Sequence, residues 1–223
     1  HSCPSWGGIR HVLVEDVAAQ SGHVWSEMRL LPGTKRLGDG SLLPCEIVGC
    51  ILRRITGVHT IKIYSQPNLE LGRENDSSAD AGFADELYLS DIRFEPFDDS
   101  KYYCRKEAYI EAAVNLGSLY LSRIELPPRP THRLLAFGPM SFLFKGDILH
   151  PEDPERVDPN RPGVELFQPT AGCTLKRLHL HRIIPFRDEE VPDLILVRDL
   201  SDTYLEHEGT FGGKGEILDI AVG

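Results

Sequence analysis

The segment LKRLHLHRIIPF, from Leu175 to Phe186, constrains the fold most strongly because apolar and polar side chains alternate along much of it. Alternation with a period of two is typical of a β-strand that buries one face. In an extended chain, side chains two residues apart point to the same side, so His179 and His181 share one face. The sequence therefore predicts a buried strand that carries two neighbouring imidazole rings.

Other short segments have the same β character, and residues that favour turns separate them. CEIVGCILRRI and VHTIKIY, between Cys45 and Tyr64, are rich in β-branched residues and are divided by Thr56-Gly57. This arrangement predicts two strands joined as a hairpin. LYLSDIRF, SLYLSRIEL, HRLLAFGPMSFLF and EILDIAVG predict further strands. We therefore expect most of the chain to be β.

One segment has helical character. Ser100 is a residue type that commonly caps helices, and KYYCRKEAYIEAAVNL (101–116) then contains good helix formers with no Gly or Pro before Gly117. No internal repeat at a fixed period is visible, which disfavours a solenoid or a propeller. The predicted fold class is α+β and β-rich: an antiparallel β-sandwich or open β-barrel with one main helix.

The length of 223 residues suits a single β-rich domain, 1–223. The Pro-rich segment GDILHPEDPERVDPNRPG, at about 146–163, reads as a loop insertion within that domain. Loops of this length are either functional, as lids or binding loops, or inert decoration, and the sequence leaves both interpretations open.

The charge balance bears on the partners. The chain carries 34 acidic and 24 basic side chains, a formal net charge of −10. Basic residues occur as pairs such as Lys35-Arg36 and Lys176-Arg177, whereas nucleic-acid binding needs larger basic patches, so a nucleic-acid partner is disfavoured. No apolar run approaches the ~20 residues of a transmembrane helix, so no membrane span is expected. A protein or a small-molecule ligand is the expected partner.

The cysteines bear on the compartment. None of the five forms a C-x-x-C pair, which argues against a zinc knuckle or a thioredoxin-like motif. Their odd number favours a reducing compartment, and hence a cytoplasmic over a secreted location. In a secreted protein, Asn75-Asp76-Ser77 would be a glycosylation acceptor.

Three patterns that often carry chemistry fail at defining positions. Gly38-Asp39-Gly40 lacks the Gly-Lys-Ser/Thr of a phosphate-binding loop, and its carboxylate would repel phosphate. Ser141 lacks the flanking glycines of a nucleophile elbow. The acidic segment 76–87 has Leu87 where a calcium loop needs a bidentate Glu.

The two histidines of the predicted strand are candidate ligands of a divalent transition metal. His179 and His181 need a third ligand, and Glu206, His207 and Glu208 are the candidates that a following hairpin could bring beside them. The structural alternative is that both rings stack against neighbours and hydrogen-bond to the backbone.

Two functions follow from these features. The first is a binding or interaction domain that presents loops from a rigid β scaffold, which needs no catalytic residues. The alternative is a metal-dependent β-barrel enzyme that uses the His-x-His strand and a metal-bound water as the reactive species. The sequence leaves open whether the protein is an enzyme, and no cofactor is predicted beyond that possible metal.

Overall fold

The structure is a computed structural model, and it describes the following residues: 9–19, 26–30, 34–36, 42–44, 46–64, 83–96, 108–128, 130, 132–139, 143–145, 165–167, 172–185, 191–199, 204–205, 209–210 and 214–223.

In chain order, the elements of the described residues are β1 (Ile9–Arg10), β2 (Leu13–Ala18), β3 (Glu27–Leu30), β4 (Thr34–Arg36), β5 (Leu42–Pro44), β6 (Glu46–Val48), β7 (Ile51–Val58), β8 (Thr60–Tyr64), β9 (Phe83–Asp85), β10 (Leu87–Phe94), β11 (Ala108–Ala113), β12 (Asn115–Glu125), β13 (Arg133–Phe137), β14 (Leu143–Lys145), β15 (Glu165–Phe167), β16 (Cys173–Ile184), α1 (Val191–Leu194), β17 (Ile195–Val197), β18 (Tyr204–Leu205), β19 (Gly209–Thr210), β20 (Gly215–Ile217) and β21 (Ile220–Val222).

Two parallel sheets form the body of the protein. Sheet A contains β1, β2, β6, β7, β9, β10, β12, β16, β20 and β21, and sheet B contains β3, β8, β11, β13 and β17. The long strands of sheet A lie in the order β2, β7, β10, β12, β16, and each pairs in parallel with the next. Each of these strands is followed in the chain by a strand of sheet B, with α1 lying between β16 and β17. The chain therefore winds from one sheet to the other, and successive windings stack as rungs of a parallel β-solenoid.

A four-residue pattern repeats on every long strand of sheet A and explains why the rungs stack in register. Its first position is Leu or Val, its second is variable, its third is Asp or Arg, and its fourth is Ile or Val. In the sequence it reads VEDV, LRRI, LSDI, LSRI and LHRI. The first aliphatic position forms one row across the sheet, and the last forms another. The two rows face the interior, where most of their side chains are buried. Burying one such side chain contributes about 1.5–3 kcal/mol.

A left-handed residue on each rung places two consecutive side chains on the outside of sheet A. The third position of the pattern has a φ between 53° and 57° on all five strands, at Asp16, Arg54, Asp91, Arg123 and Arg182. An extended strand would turn every second residue inward. The left-handed residue adds one outward position on every strand, so the following Ile or Val returns to the core while the pairing register between strands is kept.

The predicted fold class was wrong. The long strands are parallel and not antiparallel, so the chain forms neither the predicted antiparallel sandwich nor the predicted open barrel with a main helix. The solenoid that the sequence disfavoured is the observed architecture of the described residues. The repeat escaped detection because segments of unequal length separate its copies, so it recurs at no fixed period.

The predicted helix at 101–116 was also wrong within the described residues. Positions 101–107 lie outside them, and Ala108–Ala113 is strand β11, which is buried along its whole length. It pairs in parallel with β8 on one side and β13 on the other. Tertiary pairing therefore overrides the helix propensity of its Ala and Glu residues.

The predicted hairpin between Cys45 and Tyr64 is a corner between the two sheets. Gly57, with a φ of 77°, lies inside β7, and the chain changes direction at His59. The Ser26 backbone N–H donates to His59 Nδ1 over 3.0 Å, and the His59 N–H donates to the Ser26 carbonyl. The strands on either side of this corner belong to sheet A and sheet B, so they do not pair with each other.

The Pro-rich insertion at about 146–163 lies outside the described residues, and the assignment of a single domain stays a prediction. Within the part of the chain that the structure describes, no helix has the length and apolar character needed to cross a bilayer.

The aligned aliphatic rows lead to a prediction about stability. Leu121 is 1% exposed and lies in the row formed by the first aliphatic position of each rung. Leu121→Ala should lower the free energy of unfolding by about 2–5 kcal/mol, because it leaves a cavity between stacked rungs. The measurement is a urea titration followed by circular dichroism.

The control is the next residue on the same strand. Ser122 faces outward, so Ser122→Ala should change the free energy of unfolding by no more than about 0.5 kcal/mol. Equal losses for the two variants would contradict the inward and outward assignment.

Candidate binding face

His179 and His181 lie on the outer face of sheet A. The adjacent side chains Leu178 and Leu180 are buried in the core, with exposures of 0% and 2%. Alternation along β16 therefore turns both imidazoles outward. His179 is half-buried and His181 is exposed. Each histidine continues a row of side chains that crosses the sheet from strand to strand.

The first row is a stack of rings, here called the tyrosine row: Tyr88, Tyr120 and His179. The Tyr88 and Tyr120 rings lie 4.3 Å apart with planes 7° from parallel, and Tyr120 and His179 lie 4.2 Å apart at 8°. The spacing matches the roughly 4.8 Å between neighbouring strands. Burial raises the pKa of the Tyr88 hydroxyl, and the neighbouring Tyr120 hydroxyl raises it further. The ring faces therefore contact each other, while Tyr88 keeps its hydroxyl proton at neutral pH.

The second row, here called the serine row, comprises Ser90, Ser122 and His181 in register on consecutive strands. Both serines are half-buried. His181 Nδ1 lies 2.5 Å from the carbonyl oxygen of Gly223. Because a carbonyl only accepts, Nδ1 donates this hydrogen bond, which fixes the ring orientation and leaves Nε2 as the other polar atom of the imidazole.

The third row, here called the arginine row, consists of the left-handed residues Asp16, Arg54, Asp91, Arg123 and Arg182. Arg54 Nε lies 2.6 Å from Asp16 Oδ1, and Arg123 Nη2 lies 2.6 Å from Asp91 Oδ2. The hydrogen bond from Arg123 holds the pKa of Asp91 below its ordinary value, and the charge of Arg54 acts in the same direction. Charges thus alternate over the first four rungs, and the fifth adds a second consecutive arginine.

Arg182 differs from the other arginines of this row. It is exposed, and it makes no ion pair among the described residues. Its neighbour on the adjacent strand is Arg123, because Ser122 pairs with His181 and Ile124 pairs with Ile183. Among the described residues, these two neighbouring arginines therefore have one carboxylate, Asp91, paired with either of them.

The outer face differs in charge from the whole chain. From the level of the tyrosine row onward, the described outward side chains of β2, β7, β10, β12 and β16 include five arginines and four carboxylates: Arg53, Arg54, Arg93, Arg123, Arg182, Glu15, Asp16, Asp91 and Glu125. Glu15 contacts both arginines of β7, and Glu125 lies 3.5 Å from Arg93. This face is slightly basic on a chain with a net charge of −10.

A groove of about 380 Å³ adjoins the carboxyl ends of β10 and β12. The Arg93–Glu125 ion pair borders it, and Phe94 and Leu126, each 3% exposed, belong to its wall. The groove lies at one end of the outer face. Arg93 and Glu125 stand at that end, two residues beyond Asp91 and Arg123 on their strands.

The structure brings together two of the five predicted metal ligands. His179 and His181 share one face, while Glu206, His207 and Glu208 lie outside the described residues. His179 stacks on Tyr120, and its Nε2 is buried with no hydrogen-bond partner among the described residues. No group of three or more His, Cys, Asp or Glu side chains in the described part of the chain is arranged to hold a metal ion.

The sequence interpretation missed most of the face. It identified the histidines on β16, but not the tyrosines, serines and arginines that align with them. The signal is present as LYLSDIRF, LYLSRIEL and LHLHRIIP, which superimpose without a gap. Aligning strands by this pattern, and not by a constant interval, would have placed these residues in rows.

In comparisons with known proteins, no protein-family model, no curated protein and no solved structure matches the chain.

The Asp91–Arg123 contact leads to a prediction about pH. Because the folded protein holds the pKa of Asp91 below the ordinary value of 3.8, its contribution to stability is present above that pH. The contribution is lost as the pH falls from 3.8 through the lower value in the folded state. Asp91→Asn should therefore lower the free energy of unfolding at pH 7 more than at pH 3, by no more than about 1 kcal/mol because the pair is exposed.

The partner arginine supplies the control. In an Arg123→Met background, Asp91→Asn should lower the free energy of unfolding at pH 7 by less than it does in the wild-type chain. The reason is that Arg123, the main cause of the lowered pKa of Asp91, is absent. Urea titrations at both pH values measure the four chains. A cost that does not depend on Arg123 would show that the pair is not coupled.

Proposed function

We propose that the protein is a binding module and that the outer face of sheet A is its binding surface. One observation carries this proposal: similar polar side chains repeat in register on three consecutive strands. Tyr88, Ser90 and Asp91 on β10 are followed by Tyr120, Ser122 and Arg123 on β12, and then by the corresponding residues of β16.

The buried core beneath these side chains holds them in fixed positions, which favours ligand binding. Core residues between and beside them, such as Leu89, Leu121 and Ile124, are at most 1% exposed, so the strands are held from within. The rings of the tyrosine row restrict each other, and ion pairs restrict Arg54 and Arg123 in the arginine row. A ligand would therefore meet groups whose positions are already set, which reduces the entropy lost on binding.

This proposal moves the expected binding surface from the loops to the strands. The sequence favoured loops presented from a rigid scaffold, and it left open whether the Pro-rich segment at about 146–163 is a functional loop. That segment lies outside the described residues, whereas the polar rows belong to the scaffold itself. Hydroxyl groups and charged side chains on a sheet face bind through hydrogen bonds and charge-assisted hydrogen bonds.

The proposal predicts that a bulky side chain at the centre of the face will block binding. An array of defined polysaccharides, peptides and small metabolites is screened with the wild-type chain, and each ligand found is titrated by calorimetry. Ser122→Trp should weaken binding by about tenfold or more, because the indole covers the serine row and displaces the ligand from neighbouring groups.

The matched control carries the same new side chain elsewhere. Glu216 on β20 is exposed and lies away from the three rows, so Glu216→Trp should bind like the wild type. Thermal midpoints show that both variants fold. Ligands whose affinity is equal in Ser122→Trp and in the wild type would remove the outer face as the binding surface.

A metal-dependent enzyme is the second candidate function, and the buried Nε2 of His179 favours it. This nitrogen has no hydrogen-bond partner among the described residues, and His181 shares its face. The residues at 206–208 would have to supply a further ligand, and a metal-bound water would be the reactive species.

Metal content separates the two functions. If the protein is a binding module, the purified chain should contain no stoichiometric Zn, Mn, Fe or Cu. The midpoint of its thermal unfolding should then be the same with and without a chelator, because no bound metal stabilises the fold. Stoichiometric metal that is lost in a His179→Ala/His181→Ala variant but retained in Tyr88→Phe would favour the enzyme instead.

A further inference from the structure

The charge along the outer face is uneven, and its excess lies on β16. At the β2 side, Glu15 and Asp16 are paired with the two arginines of β7. Toward β16, Arg123 and Arg182 are neighbours, and Asp91 is the one carboxylate that pairs with either of them among the described residues. A guanidinium offers a planar fork of donors that matches a carboxylate or a sulfate group. This end of the face therefore complements an anionic group.

The tyrosine row limits what else the ligand can be. With ring separations of 4.3 Å and 4.2 Å, no third ring fits between Tyr88 and Tyr120 or between Tyr120 and His179. Single-stranded nucleic acids rely on aromatic side chains whose faces are open to stack with the bases. Within this row the hydroxyl edges remain for hydrogen bonding, which suits a ligand rich in hydroxyl groups.

The repetition of the rows points to a polymer with a repeating unit. A ligand that runs across β10, β12 and β16 meets a tyrosine, serine or histidine at each of these three rungs, about every 4.8 Å. A polypeptide of mixed sequence presents a different side chain at each step, whereas a polysaccharide presents the same groups repeatedly. Identical residues at Tyr88 and Tyr120, and at Ser90 and Ser122, match the second kind of ligand.

We propose that the outer face of sheet A binds an acidic polysaccharide, with one acidic group held by Arg182 and Arg123 and with sugar hydroxyls bonded to the tyrosine and serine rows. The anionic group is a carboxylate, as in a polyuronate, or a sulfate ester. This inference rests on the proposed binding function and names the class of ligand for the same surface. The ligand crosses the strands of sheet A, so consecutive sugars contact consecutive rungs.

The test uses the full chain and five defined probes in calorimetric titrations: sodium alginate oligomers in EDTA, dextran sulfate, unmodified dextran, poly-glutamate and single-stranded poly-dT. We expect alginate or dextran sulfate to bind, and the stronger of the two identifies the anionic group. Dextran should bind more weakly than either because it offers no partner for Arg182. Affinity should fall as salt is raised, because salt screens exposed charges.

Variants locate the anionic group. Arg182→Ala should weaken binding of the acidic polysaccharide by about tenfold, the effect of losing a charge-assisted hydrogen bond. Arg182→Lys should recover part of the loss, because it restores the charge without the planar fork. Arg10→Ala removes another exposed arginine, which pairs with Glu46 away from the rows, and should leave affinity unchanged.

The outcomes separate the class of ligand from the surface. Binding of poly-glutamate or poly-dT as tight as that of the polysaccharide would overturn the class, because charge alone would then explain it. Equal losses in Arg182→Ala and Arg10→Ala would overturn the assigned position. If none of the polysaccharides binds, but another ligand binds and is blocked by Ser122→Trp, the class fails and the binding module stands. If every ligand that binds has the same affinity for Ser122→Trp as for the wild type, both the ligand class and the outer face as binding surface are overturned.

Discussion

The protein depends on the stacking of aliphatic side chains between successive rungs of sheet A. The row that contains Leu89 and Leu121 and the row that contains Ile92 and Ile124 lie inside the coil, and these four side chains are at most 1% exposed. Each buried side chain contributes about 1.5–3 kcal/mol, so a few rungs together outweigh the cost of an unusual backbone. Parallel strands far apart in the sequence are held in register by this contact, because a shift of one residue would turn the aliphatic side chains toward solvent.

The left-handed residues are destabilising and offset part of this stabilisation. A non-glycine residue with a positive φ costs roughly 1–2 kcal/mol, and the five rungs repeat the conformation at Asp16, Arg54, Asp91, Arg123 and Arg182. In return, each rung exposes two consecutive side chains between inward aliphatic ones. The arginine row arises from this left-handed position, beside the serine row that ordinary alternation already turns outward. The same backbone feature that returns the second aliphatic row to the core therefore adds the charged row to the polar face on which both proposals rest.

The strands were easier to predict from the sequence than their pairing. LYLSDIRF coincides with β10, and the segment with the two histidines lies within and just beyond β16. Hydrophobic alternation is a local property, and it depends on one strand at a time. Pairing depends on which distant segment is stacked beside it, and Thr56-Gly57 looked like a hairpin turn although the strands around it enter different sheets. The Ala-rich β11 looked helical because propensity cannot anticipate burial between two neighbouring strands.

The sequence by itself determined many of the extended segments and the common face of His179 and His181, because these follow from a period of two within a strand. Only the tertiary structure decided that the strands are parallel, that Tyr120 stacks on His179, and that Arg123 is the neighbour of Arg182. Those contacts join residues separated by about sixty positions along the chain. Their physical cause is the packing of one rung on the next, which no single segment contains.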